Sequence, residues 1–147
     1  MPEKTIFLVE DSDNEAELAV RALRRTSVNN PLVRVRDGVE ALNYIFGRGA
    51  FAGRDVRDVP AVTLLDLNIP KIDGLEVLKA IRADIRTRTI PVVILTSSNE
   101  DSDRLRAYES FANSYVVKPV DYDQFLAAAW QLSHYWTKLN MPAPVAD

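Results

Sequence analysis

The stretch VTLLDLNIP, residues 62–70, decides the fold class that this sequence predicts. It begins with four apolar or β-branched residues, 62–65, and continues through Asp66 to a turn-forming segment that ends at Pro70. A short apolar run bounded by Asp and Pro is typical of a buried strand. Asp66 is therefore expected at the carboxyl end of that strand.

Similar runs recur along the chain and alternate with segments of helical spacing. They cover residues 6–9, 32–35, 92–95 and 115–117. Between them, apolar residues recur three or four positions apart, as Ala16, Val20 and Leu23 do in the first segment. Five strands alternating with five helices predict an α/β fold, a doubly wound five-stranded parallel sheet with helices on both faces.

The same spacing predicts which helical residues face the core. Trp130 falls on the other side of the last helix, expected over 122–139, and is either an interface anchor or an isolated exposed aromatic residue. His134, nearby on that side, is expected at the surface or at an interface. The predicted core stripes are Val39, Leu42 and Phe46; Leu78, Ile81 and Ile85; Leu105, Tyr108 and Ala112; and Phe125, Ala129, Leu132, Trp136 and Leu139.

The chain length predicts one domain. With 147 residues and 16.5 kDa, it is expected to form a single unit over 4–139, followed by a short tail over 140–147 and no output domain. The stretch 47–60 carries three of the five glycines and is expected to be a long surface loop.

Composition excludes several classes of protein. The chain has no cysteine and one histidine, which excludes disulfide scaffolds, thiolate metal sites and multi-histidine metal sites. A net charge of −3 and a sequence pI near 5.2 argue against nucleic-acid binding, which needs a basic surface. No apolar run approaches the roughly 20 residues of a membrane span. We therefore expect a cytoplasmic protein.

Chemically active residues follow the predicted strands. Glu10 and Asp11 follow the first, Asp66 the third, Thr96 the fourth and Lys118 the fifth. Each alone is ordinary, because such residues usually form turns or helix caps or lie in solvent. Ligands of open parallel sheets bind at the carboxyl ends of the strands, so these residues are expected to meet at one site.

Three carboxylates at one site need nearby cations. Oxygen ligands of this kind bind a hard divalent ion, either Mg²⁺ or Mn²⁺. A carboxylate can also attack phosphorus to form an aspartyl phosphate. Lys118 and the Thr96 hydroxyl would then bind phosphoryl oxygens.

On these motifs the sequence resembles the receiver domain of two-component response regulators. The matching segments are LVED (8–11), LLDLNIP (64–70) with Asp73 and Gly74, LTSS (95–98) and VKP (117–119). The segments stand in the family's order, and the resemblance as a whole runs over about residues 4–139. The resemblance implies the flavodoxin-like strand order 2-1-3-4-5 in a three-layer α/β/α arrangement.

The resemblance also implies a role for each matching residue. By this resemblance Asp66 is expected to be the phosphoacceptor, and the expected metal ligands are Glu10, Asp11, Asp66 and the backbone carbonyl of Asn68. Lys118 and Thr96 assist the phosphoryl transfer, and Thr96 and Tyr115 form the switch. A cis Lys118–Pro119 bond is expected from the same likeness.

A narrower likeness is to the single-domain regulators of cyanobacterial and bacterial phytochromes. It rests on the long loop over 47–60, on TSSN (96–99), on ANSY (112–115) and on the aromatic last helix. It implies a sensor histidine kinase partner, a phytochrome, and a homodimer formed through the face made by the fourth helix, fifth strand and fifth helix, or through the last helix. Such a protein catalyses only its own phosphorylation and dephosphorylation.

Two other functions each require a feature that this sequence lacks. A phosphatase of the haloacid-dehalogenase type also uses an Asp after a strand, but it needs a second carboxylate two positions later, where this chain has Asn68. A flavin- or nucleotide-binding domain needs a Gly- or Ser/Thr-rich phosphate loop after the first strand, where this chain has the acidic segment 10–13.

Overall fold

Five parallel strands form the centre of the molecule. The computed structural model describes residues 3–145. The strands stand in the order β2-β1-β3-β4-β5, and every neighbouring pair is parallel. This confirms the predicted flavodoxin-like α/β fold. The strands are β1 Ile6–Val9, β2 Leu32–Val35, β3 Val62–Leu65, β4 Val92–Thr96 and β5 Ser114–Val117.

Five helices connect and cover the strands. Four of them begin at a Ser or Asp whose side chain accepts a hydrogen bond from the backbone N–H three residues later, as is typical of N-caps. The helices are α1 Asp13–Arg24, α2 Gly38–Phe46, α3 Gly74–Ala83, α4 Asp101–Glu109 and α5 Tyr122–His134. A short 3₁₀ turn, Gly49–Phe51, follows α2, and a π-helical turn, Tyr135–Leu139, follows α5.

Each face of the sheet has its own apolar core. Alternate strand residues point to opposite faces, so Phe7 packs with α2 and α3 while Leu8 packs with α1 and α5. All residues of β1, β3 and β4 are buried. Burial on both faces explains why these strands read as continuous apolar runs rather than as alternating ones.

Several predicted core stripes were wrong in part. Val39 is exposed because α2 turns Ala41, Tyr44 and Ile45 inward instead. Ile85 is exposed because α3 ends at Ala83. Val39 shares the helical period of the core face without being buried, and Ile85 lies beyond the end of its helix.

Helix α4 departs furthest from its predicted stripe. Leu105 and Tyr108 are exposed, and Ala107 is the one buried residue of this helix. Only a small residue separates α4 from the sheet, so the helix lies close to β5 while its larger apolar side chains face outward.

The predicted last helix changes its winding near its end. The Thr137 hydroxyl donates to the Ser133 carbonyl at 2.5 Å, and the Asn140 N–H bonds to the Tyr135 carbonyl five residues back, at 2.6 Å. A side chain that takes a helical carbonyl competes with the regular backbone pattern. The wider turn carries Leu139 off the core stripe, and its side chain is exposed.

The loop over 47–60 is anchored at several points. Arg54 lies over the Tyr44 ring, 4.1 Å from its centre, and donates to the Tyr44 carbonyl at 2.7 Å. Tyr44 in turn stacks on Phe7 of β1 at 4.2 Å. Through these contacts the loop is fixed to the apolar core.

Two glycines hold the loop that follows β3. A Cβ atom at Gly74 would collide with the Asp66 carbonyl, and one at Gly38 would collide with the Ile72 carbonyl. The Gly74 N–H bonds to the Leu67 carbonyl at 2.9 Å. This close backbone approach sets the position of Asp66, and only glycine permits it.

Within residues 3–145, no helix is long and apolar enough to cross a membrane. Residues 140–145 follow the π-helical turn as irregular chain, and the last two residues of the predicted tail, 146–147, lie outside the described part.

We expect Asp37→Ala to destabilise the chain at neutral pH by about 1 kcal/mol, the usual cost of a lost N-cap. The Asp37 carboxylate accepts from the Glu40 N–H at 2.8 Å and lies 3.3 Å from the Lys71 ammonium. Burial alone would raise the pKa of Asp37, but these two groups outweigh it and hold the pKa below its ordinary value. A lowered pKa adds stability above the unfolded-state pKa, and this stability is lost as the pH falls.

The stability difference between wild type and Asp37→Ala should therefore narrow in urea titrations taken at progressively lower pH. Asp37→Asn, which keeps a cap oxygen without the charge, should lose less stability than the alanine variant. A difference that stays constant down to acid pH would contradict this account.

Candidate functional site

The parallel sheet brings the predicted acids together. Val9 of β1 stands in register with Leu65 of β3, so the residues that follow these strands are neighbours. Glu10, Asp11 and Asp66 each offer a carboxylate oxygen, and the three oxygens lie within 4.8 Å of one another. Glu10 and Asp66 are buried and Asp11 is exposed, so the cluster opens to solvent on one side.

Lys118 supplies the positive charge at the centre of this cluster. Its ammonium donates to Asp66 Oδ2 at 2.9 Å, to Glu15 Oε1 at 3.0 Å and, at shorter range, to Glu10 Oε1. The Lys118 side chain is only 8% exposed. Burial alone would lower its pKa, but the hydrogen bonds to Glu10 and Asp66 outweigh this and raise the pKa of Lys118. The lysine therefore stays charged.

The other carboxylate oxygen of Asp66 accepts hydrogen bonds from neutral donors. The Thr96 hydroxyl donates to Asp66 Oδ1 at 2.9 Å, and the Asn68 N–H donates to the same oxygen at 3.1 Å. Asp66 therefore has one oxygen facing an ammonium and one facing a hydroxyl and an amide. The backbone of Asn68, predicted as a metal ligand, lies beside this carboxylate on the loop that follows β3.

Tyr115 does not contact Asp66 directly but is linked to it through Ser98 and Thr96. Its side chain is half-buried, and its hydroxyl donates to the Ser98 carbonyl at 3.1 Å. Ser98 lies two residues after Thr96, and its N–H donates to the Thr96 hydroxyl at 3.4 Å. A chain of contacts therefore leads from Asp66 through Thr96 and Ser98 to Tyr115.

Sequence reasoning missed two residues at this site. Arg34 of β2 donates to the Glu10 carbonyl through Nε at 2.9 Å and Nη2 at 2.6 Å, and to Asp13 at 2.9 Å. Glu15 of α1 reaches Lys118. The spacing of Ser12 and Glu15 is typical of a helix cap. Nothing in the sequence indicated that the side chains of Arg34 and Glu15 would turn to this site.

The expected cis bond was wrong. No cis peptide bond occurs among the described residues, so Lys118–Pro119 is trans. The Lys118 N–H bonds to the Thr96 carbonyl at 2.7 Å, which holds the lysine beside the end of β4 in this geometry.

A surface groove lies away from the acidic cluster. It has a volume of about 850 Å³ and runs between the end of α5 and the edge of β5, where Trp130, Trp136 and Leu139 line it. Its lining residues include no Asp or Glu. Trp130 is 52% exposed and stacks on His134 at 4.1 Å, as its place opposite the core stripe predicted.

Residues 6–129 match the family model of the response regulator receiver domain. The chain belongs to this family. The match runs from β1 into α5 and so covers the whole acidic cluster and Lys118. Receiver domains bind Mg²⁺ or Mn²⁺ at an acidic pocket of this kind.

Two relatives of this receiver domain span almost all of it. The probable methanogenesis regulatory protein FilR2 of Methanothrix harundinacea is 39% identical over 143 residues, which cover 95% of this chain and 88% of that protein. Response regulator Rcp1 of Synechocystis is 32% identical over 143 residues, covering 97% and 95%. A crystal structure of Rcp1 was determined in a Mn²⁺-bound form.

Solved structures of phytochrome response regulators share the fold over nearly the full length. The phosphorylated cyanobacterial phytochrome response regulator RcpA superposes with a TM-score of 0.88 at 34% identity, covering 97% of this chain and 99% of that one. The bacteriophytochrome response regulator RtBRR superposes with a TM-score of 0.78 at 48% identity, covering 98% and 86%.

We expect Arg34→Met to lower the free energy of unfolding by about 2 kcal/mol, because it removes charged hydrogen bonds to the Glu10 carbonyl and to Asp13. The Arg34 side chain is 18% exposed. Arg36→Met is the matched control, since Arg36 meets the same Asp13 but is 61% exposed. It should cost less than about 1 kcal/mol. Urea titrations of both variants test this, and equal losses would show that the Glu10 carbonyl contact adds nothing.

Proposed function

We propose that this receiver domain, over residues 4–139, accepts a phosphoryl group on Asp66 from a sensor histidine kinase and signals by changing its protein contacts. The observation that carries the proposal is the surroundings of Asp66. One carboxylate bonds a buried ammonium and a buried hydroxyl, and it lies within reach of two further acids. Burial of carboxylates at one edge of a sheet is costly unless they are paired with cations or bind a metal.

The transfer itself needs one nucleophile. A carboxylate oxygen of Asp66 attacks the phosphorus of a phosphohistidine, the P–N bond breaks, and its electron pair goes to the imidazole nitrogen. Positioning and charge neutralisation drive such a transfer more than acid–base help does. Lys118 is placed to neutralise one phosphoryl oxygen, and Thr96 is placed to donate to another.

The residues present fit a hard divalent cation. Glu10, Asp11 and Asp66 offer carboxylate oxygens on one open side, and the Asn68 carbonyl completes the proposed set. When bound, Mg²⁺ or Mn²⁺ supplies the positive charge that lets an anionic donor approach three acids. Arg34 keeps the Glu10 backbone in place for this.

The switch begins at the contacts of Thr96. The Thr96 hydroxyl already donates to Asp66, and a phosphoryl group there offers it a more strongly charged acceptor, which strengthens this contact. The strengthened contact fixes the segment through Ser98, whose carbonyl accepts from the Tyr115 hydroxyl. Tyr115 is thereby held in its half-buried, inward position. The phosphoryl charge thereby biases a two-state element.

The proposed output surface is formed by α4, β5 and α5. Leu105, Tyr108 and Val117 are exposed there, and Val120 is fully exposed. Exposed apolar residues grouped on one surface are typical of a contact site. We propose that a second copy of the chain binds this surface or the last helix, where Trp130 is exposed.

A phytochrome is the kinase partner that the relatives favour. Rcp1, RcpA and RtBRR match nearly the full chain, and RcpA and RtBRR are response regulators of a phytochrome and a bacteriophytochrome. FilR2 also matches nearly the full chain and is named for methanogenesis, so the phytochrome proposal rests on RcpA and RtBRR. The kinase draws on ATP inside the cell, and we therefore place the protein in the cytoplasm.

We expect one phosphoryl group to be added when the chain is incubated with Mg²⁺ and acetyl phosphate, as measured by intact mass. Asp66→Asn should take up none, because it lacks the nucleophilic oxygen. Asp84→Asn is the matched control, since Asp84 pairs with Arg86 away from the site. It should be phosphorylated like the wild type.

Chelation of the metal with EDTA should prevent the addition in the wild type. The proposal would be wrong if the wild-type chain took up no phosphoryl group from acetyl phosphate or from a phosphorylated kinase. Uptake by Asp66→Asn would place the acceptor elsewhere.

We expect a phytochrome histidine kinase to transfer its phosphoryl group to this chain faster than other kinases do. The test compares purified, autophosphorylated kinases of several sensory classes at equal concentration and measures the initial rate of label transfer. Asp66→Asn serves as the blank for each kinase. Equal rates across the classes would refute the phytochrome assignment but would leave Asp66 as the acceptor.

A further inference from the structure

Lys118 has three N–H donors, and three different carboxylates use them. Two belong to the buried residues Glu10 and Asp66. The third belongs to Glu15, whose Oε1 lies 3.0 Å from the Lys118 ammonium. The Glu15 side chain is 47% exposed, whereas those of Glu10 and Asp66 are 4% and 8% exposed. Glu15 thus forms the solvent-facing rim around the lysine.

A rearranged helix cap directs Glu15 to this position. In the capping box formed by Ser and Glu three residues apart, the Glu side chain bonds the backbone N–H of the Ser. Here half of that arrangement is present, because the Ser12 hydroxyl accepts from the Glu15 N–H at 3.2 Å. The other half is replaced, because the Ser12 N–H donates to Glu10 Oε2 at 3.1 Å. The Glu15 carboxylate is therefore not needed for the cap, and it bonds to Lys118 instead.

We propose that Glu15 is a positioning residue that competes with the phosphoryl group for Lys118. The inference rests on the phosphoacceptor function proposed for Asp66. Glu15 holds one N–H of the lysine at the rim of a cluster that already contains Glu10, Asp11 and Asp66. It therefore opposes the entry and retention of any anion that bonds to Lys118.

The exposure of Glu15 makes it the most easily displaced of the three partners. Its pairing with Lys118 is partly screened by solvent, whereas the Glu10 and Asp66 pairings are not. Loss of the Glu15 contact leaves Lys118 with two buried carboxylates, so the lysine stays in place and stays charged. Glu15 thus adjusts how strongly Lys118 binds a phosphoryl group and does not determine whether Lys118 binds one.

Isothermal titration of beryllium fluoride, a phosphoryl mimic, tests the proposal in the presence of excess Mg²⁺. We expect Glu15→Gln to bind the mimic about two- to fivefold more tightly than the wild type, the range that a partly exposed charge pair is worth. The gain should shrink as ionic strength rises. Glu17→Gln is the matched control, since Glu17 pairs with Arg21 on the same helix, and it should bind like the wild type.

A double-mutant cycle separates action through Lys118 from a general charge effect. In a Lys118→Met background, Glu15→Gln should leave the affinity unchanged, because the group through which it acts is gone. An unchanged or weaker affinity for Glu15→Gln in the wild-type background overturns the proposal, as does a gain that persists in Lys118→Met. A wild type that binds no beryllium fluoride and takes up no phosphoryl group overturns the proposed function instead.

Discussion

The ion pair between Lys118 and Asp66 is the constraint on which the rest of the site depends. It joins residues that follow β5 and β3, across the intervening end of β4. Both side chains are 8% exposed, so water solvates neither charge well and each charge is compensated by the other. Removal of one partner of such a buried pair typically costs about 3–5 kcal/mol, because an uncompensated charge remains. The loops that follow β3 and β5 must therefore keep fixed positions relative to each other.

Two apolar cores hold the strand ends in the positions that this pair needs. Residues of β1, β3 and β4 are buried on both faces of the sheet, and helices cover each face. Gly74 lets α3 begin directly against the Asp66 backbone. The acids therefore crowd together because the sheet places them there, and the surrounding packing offsets their mutual repulsion. A cation relieves that repulsion, which explains why a cluster of this kind suits metal binding.

Helix α4 contrasts with this well-packed centre. Ala107 is its one buried residue, and its first residue follows a cap position, Glu100, whose side chain makes no capping hydrogen bond. An element with little buried apolar surface lies at the low end of local stability. It is joined to the site through Ser98, whose hydroxyl donates to Asp103 at 2.6 Å. A charge change at Asp66 thus lies one short chain of contacts away from the least anchored helix of the fold.

The sequence by itself determined the strands, their parallel arrangement and the identity of the residues at their carboxyl ends. These features are local, because a short apolar run and the polar residue after it are read from neighbouring positions. The flavodoxin-like strand order came from the family resemblance. The tertiary structure alone decided how the charges are shared: Glu15 and Lys118 stand 103 positions apart, and Arg34 reaches the Glu10 carbonyl from an adjacent strand. It also decided that Leu105 and Tyr108 face solvent, since helical period shows which residues share a face but not which face is packed against the sheet.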